Sequence, residues 1–464
     1  MSAWHLVGVG GAGMSVVAAL LAARGERVSG SDARAGTALE ALRERGVAVH
    51  VGHDAARVEA LPPGARVVVS TAVRESNPEL AAARSRGLEV LHRSEALAWL
   101  MAGRRVVAVA GAHGKTTTSG MLAVALRAAG LDPSFAIGGA VVEGEGPPSP
   151  LAGAHHGSGE VFVAEADESD GSFLAYSPEL ALVTNVEPDH LDHFGSREAF
   201  EEVFAQFAAR VRPGGALVAC LDDDGARRLA ESARAAGTRV VTYGTRADGR
   251  EPDVVLEQQP SGTVVRESLD GTSHASGLEL AVPGEHNLLN ATGAFAVLRL
   301  LGVGAPDAAR GLGAFRGTGR RFEHRGTAGG VRVVDDYAHH PTEVAALLRA
   351  ARTVVGDGRV VVLFQPHLFS RTAHFAAEFA AALDLADVAV VTDVYAARED
   401  PLEGVSGATI TKLSVRGEHV PDRLAAARHV ARLARPGDLV LTVGAGDVTE
   451  LGPVILTELE EGPR

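Results

Sequence analysis

Twice in this chain a run of β-branched and small apolar residues breaks on glycines and passes straight into a helical pattern. The first is W-H-L-V-G-V-G-G-A-G-M-S at residues 4–15; the second is V-V-A-V-A-G-A-H-G-K-T-T-T at residues 106–118. A strand that turns on glycine into a helix leaves the N–H groups of the first helical turn facing the space beyond the strand end. Such junctions belong to parallel α/β sheets, in which a crossover helix returns the chain and ligands collect at the carboxyl ends of the strands. They exclude an all-helical bundle or an all-antiparallel sandwich for these segments.

The rest of the chain repeats the alternation and divides it into three blocks. In residues 1–102 the strands V-S-G-S-D and R-V-V-V-S-T-A-V follow the first junction. In residues 103–320 strands are expected at 161–167, 180–186 and 215–221, with a Gly/Pro loop over 142–160. Short runs from 239 to 283 suggest an antiparallel extension, followed by a helix over 288–301. Residues 321–464 alternate again through V-R-V-V-D-D-Y, R-V-V-V-L-F-Q, V-A-V-V-T-D-V and D-L-V-L-T-V-G. The expected fold is α/β with three domains: a Rossmann-like N-terminal domain, a central P-loop ATPase-type domain and a C-terminal Rossmann-like domain.

Composition narrows the function classes. The 464 residues carry a formal net charge of −14, which argues against a nucleic-acid surface. No apolar run approaches the roughly 20 residues that span a bilayer, and M-S-A-W-H-L-V-G-V-G has no basic leader. One cysteine, Cys220, excludes an intrachain disulfide and fits a reducing compartment. The expectation is a cytoplasmic protein without membrane insertion. Lysine and arginine together number 44, and only Lys115 and Lys412 are lysines. A compact ammonium behind a glycine suits a bound phosphate better than a planar guanidinium does. Lys412, with no motif around it, reads as a surface residue.

The chemistry-bearing residues fall at strand ends. Gly8, Gly10 and Gly13 form G-x-G-x-x-G, and Asp32 ends the next strand, where it could accept from a ribose hydroxyl. These residues alone suit a nicotinamide dinucleotide as well as another nucleotide. Gly111, His113, Gly114, Lys115 and Thr116 resemble a shortened phosphate-binding loop: the common first glycine would stand at Val109, and Gly111 takes its place. Glu165, Asp167, Glu168 and Asp170 crowd the end of a strand, which favours a divalent cation over a merely solvated loop. His190, in T-N-V-E-P-D-H-L-D-H-F-G, could supply an imidazole ligand; for Asp192 and His193 an ordinary loop role fits equally well. His155 and His156 read as solvent-exposed. P-G-E-H-N-L-L-N places His286, Asn287 and Asn290 at a helix start, where Asn287 suits a cap. Asp335, Asp336, His339 and His340 follow one later strand, and His367 and Arg371 follow the next, as one rim of a site. Arg320–Arg321–Phe322–Glu323 suits either a hinge salt bridge or a phosphate contact.

Taken in order, G-x-H-G-K-T-T-T, E-A-D-E-S-D, T-N-V-E-P-D-H-L-D, P-G-E-H-N-L-L-N-A and D-D-Y-A-H-H-P-T-E-V resemble the Mur ligase superfamily over essentially the whole chain. These are ATP-dependent amino-acid-adding enzymes of peptidoglycan synthesis. G-V-G-G-A-G-M-S, F-Q-P-H and G-A-G-D-V are most similar to the branch that joins L-alanine to UDP-N-acetylmuramate. The resemblance implies a UDP-sugar site at Gly8, Gly10, Gly11, Gly13, Met14, Ser15, Asp32, Ser70 and Thr71, in place of a nicotinamide site. It implies ATP contacts from Gly111, His113, Gly114, Lys115, Thr116, Thr117, Asn290, Arg321 and Asp336. One or two Mg²⁺ ions would be held by Thr116, Glu165 and His190. His340, His367 and Arg371 would meet the sugar acid or the amino acid, with Lys115, His190 and Arg371 catalytic. The implied reaction runs through an acyl phosphate, in a monomer or weak homodimer.

Two departures from the superfamily matter. Some members carry a carbamylated lysine that bridges two metals, and no lysine lies between Lys115 and Lys412. Close relatives often have arginine after the histidine of F-Q-P-H, where this chain has Leu368, so carboxylate binding would rest more on Arg371. Three rival readings set the tests. A nicotinamide dehydrogenase leaves Lys115 without a role, a regulatory or motor ATPase leaves the first domain unexplained, and a recycling ligase that adds a preformed tripeptide differs by a few acceptor side chains.

Overall fold

The β-branched runs pair into three sheets. The computed structural model describes residues 2–142, 149, 151–189, 191–246, 249, 251–397 and 399–462. Strands β1 (Ala3–Val7), β2 (Arg27–Asp32), β3 (Ala48–Val51), β4 (Arg66–Val69) and β5 (Glu89–His92) form the first sheet in the order β3-β2-β1-β4-β5. All its pairings are parallel. The order reverses between β1 and β4, and this is where open parallel sheets bind nucleotides. Gly8, at φ +78°, makes the turn out of β1 into the helix Ala12–Ala23.

The second sheet is built from β6 (Arg105–Ala110), β7 (Ser134–Ala136), β8 (Ala154–His155), β9 (Val161–Glu165) and β10 (Leu180–Val183). It continues with β11 (Ala216–Cys220), β12 (Val240–Thr245), β13 (Val254–Gln259), β14 (Gly262–Glu267) and β15 (His274–Gly277). Their order is β15-β14-β13-β12-β11-β10-β6-β9-β7-β8. β6 is therefore flanked by β9 and β10, and the three strand ends that carry G-A-H-G-K-T, the acid run and T-N-V-E lie side by side. The expected antiparallel extension begins later than its sequence suggests. β12 pairs parallel with both β11 and β13, and only β13–β14–β15 are antiparallel. Asp253 fixes this arrangement by accepting from the Thr242 backbone N–H at 2.7 Å and its hydroxyl at 2.8 Å.

The third sheet holds β16 (Glu323–Ala328), β17 (Val331–Asp336), β18 (Val360–Phe364), β19 (Val388–Val391), β20 (Gly417–His419) and β21 (Leu439–Val443), ordered β16-β17-β21-β18-β19-β20. Only β16 is antiparallel to its neighbour. Successive side chains of β18 enter opposite cores: Val360, Val362 and Phe364 join one, Val361 and Leu363 the other. A parallel sheet covered on both faces requires such an unbroken apolar run.

The chain gathers into two compact units, residues 1–281 with 288–316, and residues 282–287 with 317–464. The first holds β1–β15 and the second β16–β21. Among the described residues no helix is long and apolar enough to cross a membrane. His155, expected to be solvent-exposed, is half-buried in β8, where its Nε2 lies 2.9 Å from Asp132 Oδ1.

Candidate active site

The loop after β6 is held open by its neighbours. Gly111, at φ +136°, has no room for a Cβ because the Thr184 side chain stands there, and Gly114, at φ +82°, lies against the Asn290 amide. Gly114 caps the helix Lys115–Ala128, whose first turn carries no acidic residue. Asn185, at the end of β10, grips the loop from both sides. Its Oδ1 accepts from the His113 N–H at 2.9 Å and its Nδ2 donates to the His113 carbonyl at 3.0 Å. Thr184 donates to the same carbonyl at 2.6 Å, and His113 Nε2 lies 3.1 Å from Glu187 Oε2. Thr117 is buried on the following turn.

Lys115 sits in a cage of oxygens. Its Nζ donates to the carbonyls of Gly111 at 2.6 Å and Ala112 at 3.2 Å, and to Glu168 Oε1 at 2.8 Å. Burial works against the ammonium, but the carboxylates of Glu168 and Asp167 outweigh it and hold its pKa above the ordinary value. Burial drives Glu168 up to about 7, against the pull of Lys115. Asp167 resists the same effect and is held near 2 by Lys115 and Arg93. Thr116 Oγ1 donates to Glu165 Oε1 at 2.9 Å, while Glu165 Oε2 accepts from the Gly138 N–H at 2.7 Å. A hydroxyl and a carboxylate together beside Lys115 are the hard oxygen donors that suit Mg²⁺. His190, the third expected metal ligand, lies outside the described residues.

The first glycine turn opens onto a cavity of about 750 Å³ lined by Gly8, Gly11, Gly13, Met14, Asp32 and Ser70, with His53 and Arg93 among the others. Asp32 is engaged by its own turn, since Oδ2 accepts from the Gly10 N–H at 2.9 Å and Oδ1 from Arg34 N–H at 3.1 Å. Ser15 turns its hydroxyl back to the Ala12 carbonyl, and Thr71 donates to Asp170.

In the second unit the expected residues crowd one rim of the third sheet. Asp336, at the end of β17, accepts from the N–H groups of Phe322 and Ala338, both at 2.8 Å. Burial raises it to about 6, against the pull of Arg321. Arg321 Nη1 lies 3.7 Å from Glu343 Oε1, and His340 caps the helix Pro341–Val355. After β18, Arg371 is buried with Nη1 3.4 Å from His367 Nδ1. Between them Leu368 has φ +70°. Arg320 donates to the Gly444 carbonyl at 2.7 Å and stacks over Tyr337, both within the second unit.

Three family descriptions match the chain in order. Residues 3–105 match the Mur ligase family, catalytic domain; residues 109–298 the Mur ligase middle domain; residues 320–446 the Mur ligase, glutamate ligase domain. The chain belongs to the Mur ligase family. Among similar Mur ligases, the UDP-N-acetylmuramate–L-alanine ligase of Kineococcus radiotolerans is 57% identical over 461 residues, covering 98% of this chain and 96% of the relative. The ligase of the same name from Saccharopolyspora erythraea is 56% identical over 464 residues, covering 98% and 93%. Of solved Mur ligases, the UDP-N-acetylmuramate-alanine ligase of Thermotoga maritima superposes with a TM-score of 0.76 at 27% identity, covering 100% of both chains. A murein peptide ligase from Psychrobacter arcticus gives 0.72 at 25%, also over 100% of both.

Within the first unit the structure brings Gly111, His113, Gly114, Lys115, Thr116, Glu165 and Asn290 together. Two Mur ligase residues escaped the sequence reading. Asn185 was in view within T-N-V-E, but its grip on His113 spans 72 positions. Arg93, in L-H-R-S-E, bonds across 74 positions to Asp167 and carries no local signal of that partner.

Proposed function

We propose that this Mur ligase joins L-alanine to the carboxylate of UDP-N-acetylmuramate, with ATP split to ADP and phosphate, in cytoplasmic synthesis of peptidoglycan precursors. The substrate pair rests on one observation: relatives more than half identical over nearly the whole chain share that activity by name. The Lys115 cage supports the ATP half of the reaction independently.

A carboxylate oxygen of the sugar acid attacks the γ-phosphorus of ATP, the bond to the β-phosphate oxygen breaks, and an acyl phosphate forms. The neutral amine of L-alanine adds to its carbonyl carbon; collapse of the tetrahedral adduct releases phosphate, and the amine proton passes to solvent. No covalent enzyme intermediate is needed, so the protein's task is positioning and charge. Backbone N–H groups at the Lys115 helix start face the phosphates, and the ammonium leaves Glu168 to follow the charge of the transferring group. Thr116 and Glu165 would hold Mg²⁺, which supplies further neutralisation of the phosphate oxygens. We assign Asn290, Arg321 and Asp336 to the nucleotide, and His340, His367 and Arg371 to the sugar acid or the amino acid. We assign His190, which lies outside the described residues, to a second Mg²⁺ ion. The glycine-turn cavity, with its helix N-terminus, takes the UDP diphosphate.

Phosphate release from ATP with UDP-N-acetylmuramate, compared across L-alanine, glycine, L-serine and a tripeptide, tests the assignment. Turnover should depend on L-alanine. Turnover with the tripeptide alone would make the chain a recycling ligase, and turnover without any acceptor would make it a plain ATPase.

A further inference from the structure

Arg93 touches both ligand regions of the first unit. It lines the glycine-turn cavity, and its guanidinium lies so close over Gly13 that any Cβ there would collide with it. From the same position Nη2 donates to Asp167 Oδ2 at 3.0 Å. Asp167 directly precedes Glu168, whose Oε1 accepts from Lys115 Nζ at 2.8 Å, so adjacent carboxylates of one run hold Lys115 and the cavity arginine. The neighbouring residues follow the same plan. Thr71 Oγ1 donates to Asp170 Oδ2 at 3.3 Å, and His92 Nε2 lies 3.8 Å from that carboxylate. The segments after β4 and β5, which wall the cavity, are thus both tied to the acid run after β9.

We propose that Arg93 is a positioning residue that couples occupation of the two substrate sites by exchanging its ion-pair partner. The inference rests on assigning the cavity to the UDP-sugar and the Lys115 loop to ATP. An anion entering over Gly13 meets the guanidinium at once and shares it with Asp167. Asp167 then loses part of its neutralisation, and the acid run takes up a cation more readily. In the other direction, a cation brought to the acid run with the nucleotide satisfies Asp167 and frees Arg93 for the diphosphate. Linkage requires both directions to have the same magnitude, so each ligand strengthens the other. Arginine suits this role because its planar fork serves two acceptors at once, whereas a lysine offers a single point of charge.

The chain carries its own reporter. Its only two tryptophans are Trp4 and Trp99, with ring centroids 5.0 Å apart, and Trp99 lies on the helix Arg93–Met101 that Arg93 begins. Tryptophan fluorescence should therefore follow UDP-N-acetylmuramate binding with and without the magnesium complex of a non-hydrolysable methylene analogue of ATP. In the wild type the analogue should tighten the sugar-nucleotide Kd about five- to tenfold, within the usual range of coupling between sites. Arg93→Gln and Asp167→Asn should each bring that ratio towards one, the double variant should lose no more than either single, and Arg93→Lys should recover part of it. Asp167→Asn should still bind the UDP-sugar, which separates coupling from simple loss of a contact. Undiminished coupling in Asp167→Asn or Arg93→Gln, or none in the wild type, would overturn the role of Arg93. Failure of the wild type to bind UDP-N-acetylmuramate at all would instead overturn the functional assignment beneath it.

Discussion

Three oxygens converge on the single nitrogen of Lys115, and this geometry explains why a chain so poor in lysine keeps one here. A guanidinium spreads its donors over a plane too wide for the pocket made by two carbonyls of a tight loop. Lys115→Arg should lower kcat about 100-fold or more despite retaining the charge, as phosphate release would show. Wild-type-like turnover would refute the point-charge argument. Asn185→Ala removes two bonds to His113, and kcat/KM for ATP should fall roughly 5- to 30-fold, the effect of about 1–2 kcal/mol. Unchanged steady-state kinetics in a folded Asn185→Ala protein would show that the grip is dispensable. Lys115 was legible because glycine, lysine and threonine stand together in sequence. Asn185 and Arg93 were not, because their partners are distant in the chain and only strand order makes them neighbours.

At the scale of elements, parallel strands with both faces covered announced themselves as unbroken apolar runs, and β6, β10, β18 and β21 all fall where the sequence places strands. Of the missed strands β3, β5, β8, β16 and β20 are sheet edges, and β7, only three residues long, lies between β9 and β8. β16 reads E-H-R-G-T-A and β20 only G-E-H, with the exposed or half-buried positions that a one-sided edge needs and no apolar run to mark them. The first sheet also holds a buried acid that composition could not reveal. Glu79, in the first turn of the helix Pro78–Ser85, is fully shielded from solvent. It accepts from the Ser31 hydroxyl and the Asp54 N–H, and lies 3.5 Å from His5 Nε2. Burial opposes its ionisation, yet the nearby His5 and the bonds from Ser31 and Asp54 lower its pKa to about 2 from 4.5. A depressed carboxylate contributes stability above its unfolded pKa and loses it as pH falls through the folded one. The contribution should therefore be complete above about pH 5 and disappear towards pH 2, on the order of 3 kcal/mol. Acid titration followed by tryptophan fluorescence, comparing wild type with Glu79→Gln, checks this. The variant should unfold more easily at neutral pH and show a shallower acid dependence, and parallel acid curves would contradict the assignment.

At the scale of the molecule, the two compact units have separate cores, and both tryptophans fall in the first. Denaturant unfolding followed by tryptophan fluorescence should not coincide with unfolding followed by far-ultraviolet circular dichroism, because the second signal includes β16–β21. Coincident transitions would mean that the chain unfolds as one cooperative body. In the reaction proposed above, ATP activates the sugar acid's own carboxylate before L-alanine attacks. That is tested most directly by labelling the carboxylate of UDP-N-acetylmuramate with heavy oxygen and analysing the products by mass spectrometry. The label should appear in inorganic phosphate, formed together with ADP and the alanyl amide only when L-alanine is present. Label in AMP, or amide formation with none in phosphate, would contradict it.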